Sequence, residues 1–263
     1  MAIPATAGKS QPARLWCPRY YARTADEAIK YIYQQKSVTP DRPFFIYYAP
    51  GATHAPHHVP KAWVDRFKGQ FDQGWDKYRE ETYQRQLRLG VIPADTKLTP
   101  RPQEMPAWDS LSTDRKRIAA RLMETFAGYT AQTDSQVGRI LDTLDAIGQT
   151  DNTLVFWEIG DNGASMEGTL NGVFNEMVSL NGQEEDSSYI LAHLDEIGGP
   201  KSYNHYPVGW AWAMDTPFQW GKQIASLSAA RAIRWSYRGP TGSRTKAASA
   251  RSFTTSSTLC RQS

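Results

Sequence analysis

Cysteine is scarce in this chain: Cys17 and Cys260 are the only two among 263 residues, and they lie near opposite ends. That excludes a disulfide framework and any paired-cysteine zinc knuckle. No apolar run approaches the roughly 18 residues that a membrane-spanning helix needs, and mean hydropathy is −0.58. The first ten residues lack the long apolar core of a secretion signal, so the expected location is the cytoplasm. Neither sign of charge dominates, since 30 basic against 27 acidic residues leave a formal +3. Charge therefore gives no footprint for nucleic acid or for an anionic membrane surface. What remains is 40% hydrophobic residues, ample for the core of a globular domain.

Thr24-Ala25-Asp26-Glu27 has the spacing of a capping box and predicts a helix start after an irregular segment over 1–23. Pro43-Phe44-Phe45-Ile46-Tyr47-Tyr48 is short, continuous and aromatic, the pattern of a buried strand in a parallel sheet. From Lys61 to Pro106 the chain is polar and aromatic, which predicts short helices and long loops laid over the surface. Apolar residues then recur at three- and four-residue steps from Leu122 to Ile147, a helical stripe, with Gly148 as its C′ stop. The apolar run Leu154–Ile159 follows, completing the strand, helix, strand order of a right-handed βαβ unit. Ser187–Ile197 reads as one helix, and Tyr203–Trp212 as an aromatic loop. Beyond Ser226 no amphipathic period is sustained.

Chemistry concentrates at three places. Asp161 and Asn162, at the end of the apolar run, offer hard oxygen donors suited to Ca²⁺ or Mg²⁺; Asp-Asn-Gly is also an ordinary way for a chain to leave a strand. His54, His57 and His58 lie in a proline-bracketed loop after the first apolar run. They include a candidate general acid, with water-exposed loop histidines as the plain alternative. Lys222 follows Phe218–Trp220, where a cation held against aromatic surface makes an anion clamp; an ordinary solvated lysine is the other reading.

These three stretches occur in an order that resembles the type I sulfatases, the large bacterial arylsulfatases above all. Pro43–Pro56 is similar to their strand and His-x-Pro loop, Ile159–Ser165 to their metal-binding segment, and Asp215–Gln223 to their lysine-bearing segment. The resemblance spans roughly 24–226 and implies an α/β, alkaline-phosphatase-like fold, a parallel sheet flanked by helices. It implies that Asp161 and Asn162 are ligands of a catalytic calcium, and that His54 and Lys222 contact the sulfate near the leaving oxygen. The implied partner is a small-molecule sulfate ester, with no nucleic acid and no membrane.

The family's nucleophile is a formylglycine made from a Cys/Ser-x-Pro-x-Arg motif. Cys17-Pro18-Arg19 has proline one position too early. Ser10-Gln11-Pro12-Ala13-Arg14 fits the serine form by letter, yet Leu15-Trp16-Cys17-Pro18 follows instead of an apolar helix, so a chance match is expected. Two further metal-binding aspartates of the family have no counterpart here, and Leu227-Ser228-Ala229-Ala230-Arg231 replaces its Gly-Gly-x-Arg turn. The expectation is a partial sulfatase domain over 24–226, with an irregular tail over 227–263 that a shifted reading frame would explain. Its activity would be sulfuric ester hydrolysis, calcium-dependent by resemblance, in a truncated chain inactive on its own. The alternatives are a non-catalytic sulfatase fragment, and a phosphate or phosphonate ester hydrolase of the same superfamily.

Overall fold

The computed structural model describes residues 20–159, 163–222 and 234–238. Its spine is one helix. α4 runs over Thr113–Ala146, 34 residues, with the Ser112 hydroxyl accepting from the Arg115 amide at its start. Gly148 ends it at φ +66°, a left-handed turn that glycine adopts without penalty, and the Gln149 amide returns to the Leu144 carbonyl at 2.8 Å. The three- and four-residue stripe therefore marks this helix, although it begins nine residues before Leu122.

α1, Tyr20–Val38, packs on α4 through the fully buried Ala25 and Ile32. Thr24 lies inside this helix and not at its cap; its hydroxyl instead meets the Tyr48 hydroxyl at 3.2 Å. The helix is thus fixed by its apolar face rather than by the capping box, and part of the segment expected to be irregular is helical.

Residues 61–106 hold α2, Lys61–Val64, and α3, Gly74–Arg88, and they are not a surface covering. Trp75, Arg79 and Met105 are buried, and α3 packs on α7, Val208–Met214. Trp210 of α7 centres the core: Trp75, Trp108, Phe71 and Tyr78 surround it edge to face, with centroids 5.4–5.9 Å away, and its indole N–H donates to the Ala119 carbonyl at 3.0 Å. Such aromatics bury large area while the one polar tip keeps a partner. The stretch expected as an aromatic loop is thus partly a core helix.

The sheet is where the structure departs most from expectation. β1, Val155–Ile159, pairs antiparallel with β2, Arg234–Arg238, with Val155 opposite Arg238 and Ile159 opposite Arg234. These are the only strands among the described residues, so no parallel sheet and no βαβ pairing appears there. One short stretch of the region expected to be irregular is therefore strand. Pro43–Tyr48 forms no strand with any other described residues, and Phe45 and Tyr47 are each 84% exposed. A strand is defined by its neighbours: without a ladder partner, alternation turns every second aromatic toward water.

Two small helices complete the path to the site. α5 covers Glu176–Leu180, capped by the Asn175 carboxamide, and α6 covers Ser187–Ala192, capped by Asp186. The helix expected over Ser187–Ile197 is broken at His193, after which Leu194–Glu196 forms a 3₁₀ turn.

Candidate active site

The loop after Pro43–Tyr48 distributes its three histidines unequally. His57 is buried, stacked on Tyr206 at 5.5 Å and 14°, with Phe126 at its edge. His58 is buried too, and its Nε2 donates to the Ser202 carbonyl at 2.6 Å. Burial lowers the pKa of both, with neighbouring His205, His54 and His58 adding to the effect on His57. These two are core anchors rather than water-exposed loop residues. His54 alone is exposed, and its Nδ1 donates to the Ala55 carbonyl at 2.9 Å, so Nε2 is the ring nitrogen left to take up and return a proton.

The lysine-bearing segment is stitched to the chain that follows Asp161-Asn162-Gly163 in the sequence. The Lys222 amide donates to the Ala164 carbonyl at 2.9 Å, and both carboxylate oxygens of Asp215 accept from the Ala164 amide at 3.1 Å. Beneath this segment Arg79, 1% exposed, donates to the carbonyls of Trp212 (2.7 Å), Pro217 (3.0 Å) and Phe218 (2.8 Å) and to the Thr99 hydroxyl (2.7 Å). Its guanidinium also stacks on Trp212 at 4.2 Å. Burial draws its pKa down to about 10, against the opposing pull of Asp215, and it stays charged at neutral pH. Asp161 and Asn162 themselves lie outside the described residues, as do Ser10, Cys17 and Cys260.

Three further side chains gather here that the sequence reading did not combine. One donor atom from each of Glu167, Glu176 and His205 lies within 4.8 Å of the others. Backbone pairing explains the convergence. Val173 and His205 exchange both of their amide hydrogen bonds at 3.0 Å, and the Glu176 amide donates to the Tyr203 carbonyl at 2.8 Å. On the other side the Val208 amide reaches the Thr169 carbonyl at 2.8 Å. Gly168 permits the approach: a Cβ there would stand 1.9 Å from the Tyr206 carbonyl oxygen and 2.6 Å from His205 Nδ1.

The electrostatics of the group are mixed. Burial works to raise the Glu167 pKa, but the Ser165 hydroxyl at 2.7 Å, Lys222 and His54 outweigh it and hold the carboxylate ionised. Glu176 is pushed up by burial first and by Glu167 second. Burial brings His205 down to about 4, so its ring is neutral at pH 7. Lys222 and His54 act on Glu167, Glu176 and His205 alike, so the loop histidine and the lysine share this neighbourhood. Lys222 and His54 therefore lie beside a pair of acidic side chains and a neutral imidazole.

An exposed loop histidine, a lysine whose backbone amide is held by Ala164, and the carboxylates of Glu167 and Glu176 thus share one neighbourhood. The family model described as Sulfatase matches residues 6–229, and the chain belongs to the sulfatase family. An uncharacterised sulfatase of Schizosaccharomyces pombe is 31% identical over 198 residues, 74% of this chain and 34% of that protein. The arylsulfatase of Klebsiella aerogenes is 30% identical over 210 residues, 80% of this chain and 42% of the enzyme. The chain thus spans less than half the length of these two curated relatives. Family membership implies the alkaline-phosphatase-like α/β class, of which the described residues show the helices but not the parallel sheet. No helix among the described residues is long and apolar enough to cross a membrane.

Proposed function

We propose that this chain carries part of a sulfate-ester hydrolase site in which His54 and Lys222 handle the sulfate and the leaving oxygen. The observation behind it is the tie between Lys222, Asp215 and Ala164, which joins the lysine segment to the residue that follows Asp161-Asn162-Gly163 in the chain. Lys222 places a positive charge where the sulfate oxygens gain negative charge as the ester bond breaks. His54, once protonated at Nε2 as well, hands that proton to the departing alcohol or phenol oxygen. Asp161 and Asn162 have the donor chemistry for calcium, a carboxylate and an amide oxygen, and would hold it. When bound, that ion supplies Lewis-acid stabilisation of the sulfate oxygens. Neutral His57 and His58 fix the loop and take no part in proton transfer.

A second reading, a chain that binds sulfate without turning it over, draws support from Phe45 and Tyr47. Their exposed rings, on a segment that forms no strand with any other described residues, mark a face that a working sheet would cover. Incubation with a chromogenic aryl sulfate and the matching aryl phosphate, with and without calcium, separates the readings. Calcium-stimulated sulfate hydrolysis that falls about 100-fold or more in Lys222→Ala supports the hydrolase. Faster turnover of the phosphate indicates phosphate or phosphonate ester chemistry. Lys222-dependent sulfate binding without turnover indicates the non-catalytic chain, and activity untouched by both Lys222→Ala and His54→Ala overturns the assignment.

A further inference from the structure

Glu167, Glu176 and His205 are not the residues to which the calcium reading points, and their hydrogen bonding is incomplete. His205 is fully buried and Glu176 is 4% exposed. The Tyr206 carbonyl can only accept, so the His205 Nδ1 at 2.9 Å must carry the ring proton. That leaves a lone pair on Nε2, and Nε2 has no partner; neither has Oε2 of Glu176. Both atoms are shut off from water, which would otherwise take the partner's place. Buried acceptors left open in a cluster of three donors are the signature of a missing electrophile, a proton or a metal ion.

A proton shared between Glu176 Oε2 and His205 Nε2 would satisfy those two atoms, but the ionised Glu167 carboxylate would still face them with the Ser165 hydroxyl as its donor. A dication answers all three donors at once. The donor set also chooses among ions: imidazole nitrogen with two carboxylates suits zinc, manganese or iron, whereas calcium prefers an all-oxygen shell. The donors sit on backbone held by the Val173–His205 pair and the Glu176–Tyr203 hydrogen bond, so the spacing is set before any ion arrives.

We infer that Glu167, Glu176 and His205 form a second divalent-cation site, for a zinc-class transition ion, separate from the Asp161–Asn162 pair. Three protein donors leave a coordination position open toward water or an anion. On the reading of His54 and Lys222 given above, a dication here also removes the repulsion that two carboxylates would exert on a sulfate ester.

The test needs no substrate, so its outcome is independent of the sulfatase reading. The 263-residue chain, stripped with chelator and supplied with excess Ca²⁺, is titrated with Co²⁺ and followed by its visible d–d absorption. The expected result is a band that saturates at one equivalent and is displaced by Zn²⁺. Glu167→Gln and Glu176→Gln, with unchanged far-ultraviolet dichroism, should each weaken Co²⁺ about 10-fold or more. Asp161→Asn should leave the band unchanged. Absence of a band at millimolar Co²⁺, full affinity in both glutamine variants, or loss of the band in Asp161→Asn would overturn the site. Should Glu176→Gln fail to fold, the half-buried Glu167→Gln decides alone.

Discussion

Arg79 and the Glu167–Glu176–His205 group are both buried polar clusters, and they differ in what they are bonded to. Arg79 spends its terminal nitrogens on the carbonyls of Trp212, Pro217 and Phe218 and the hydroxyls of Thr99 and Thr216, with Trp212 against its face, and leaves only its Nε without a partner. In the other group Nε2 of His205 and Oε2 of Glu176 have no partner. A buried charge with its acceptors arranged around it is structure: it ties α3 to the lysine-bearing segment. A buried cluster with open acceptors has no such explanation within the protein, and it points outward to a ligand.

Removing Arg79 gives the largest expected effect. Arg79→Met keeps the stem but strands several buried carbonyls, and unfolding free energy should fall by about 3–5 kcal/mol in chemical denaturation. A loss below about 1 kcal/mol would break the contrast, because the guanidinium would then be dispensable. Gly168→Ala tests the second cluster through its backbone. The new Cβ must displace the Tyr206 carbonyl and the His205 ring. A stability loss of about 1–3 kcal/mol should accompany loss of the Co²⁺ band. Stability lost with the band retained would separate the fold of this loop from the ion.

The pH dependence comes next. His57 and His58 have folded pKa values lowered by burial from an unfolded value of about 6.5. Between the two values the unfolded chain binds more protons, so their contribution is complete above about pH 6.5 and is lost as pH falls below it. The urea midpoint in chelator should therefore drop between about pH 7.5 and about pH 5.5, with His205 acting in the same sense and the raised carboxyls Glu176 and Glu185 in the opposite one. A flat profile would mean that these rings are hydrated. The smallest effect belongs to Glu176→Gln in chelator, expected within about 1 kcal/mol of the unmodified chain, because burial opposes the charged form of the carboxyl that the amide replaces. Arg79→Met and Glu176→Gln side by side in one denaturation series give the sharpest form of the contrast.

Legibility followed the range of the interaction. The stripe from Leu122 to Ile147 and the Gly148 stop are local patterns, and α4 with its left-handed glycine follows them. Thr24–Glu27 is also local, but tertiary packing of Ala25 and Ile32 carries the helix through it. Pro43–Tyr48 reads as a buried strand because its residues are apolar; whether it is buried depends on neighbours that a local pattern does not contain. Trp75 and Arg79 read as surface because their stretch is polar, whereas one face of α3 meets α7. His54 and Lys222 stood out through the order of the motifs around them. Glu167 and Glu176 did not, being ordinary glutamates nine positions apart in a glycine- and asparagine-rich stretch, and His205 stood out only as a member of an aromatic run.

By itself the sequence determined the family, through three motifs in a fixed order, and the long helix, through a period that needs only one face. Motif order and period survive in one dimension because each is written in residues close together. Tertiary structure alone decided which loop histidine is exposed, why Arg79 is bonded rather than solvated, and that Glu167, Glu176 and His205 meet. Those outcomes depend on which backbone amides pair across long stretches of chain, as Val173 does with His205. No single stretch carries that information.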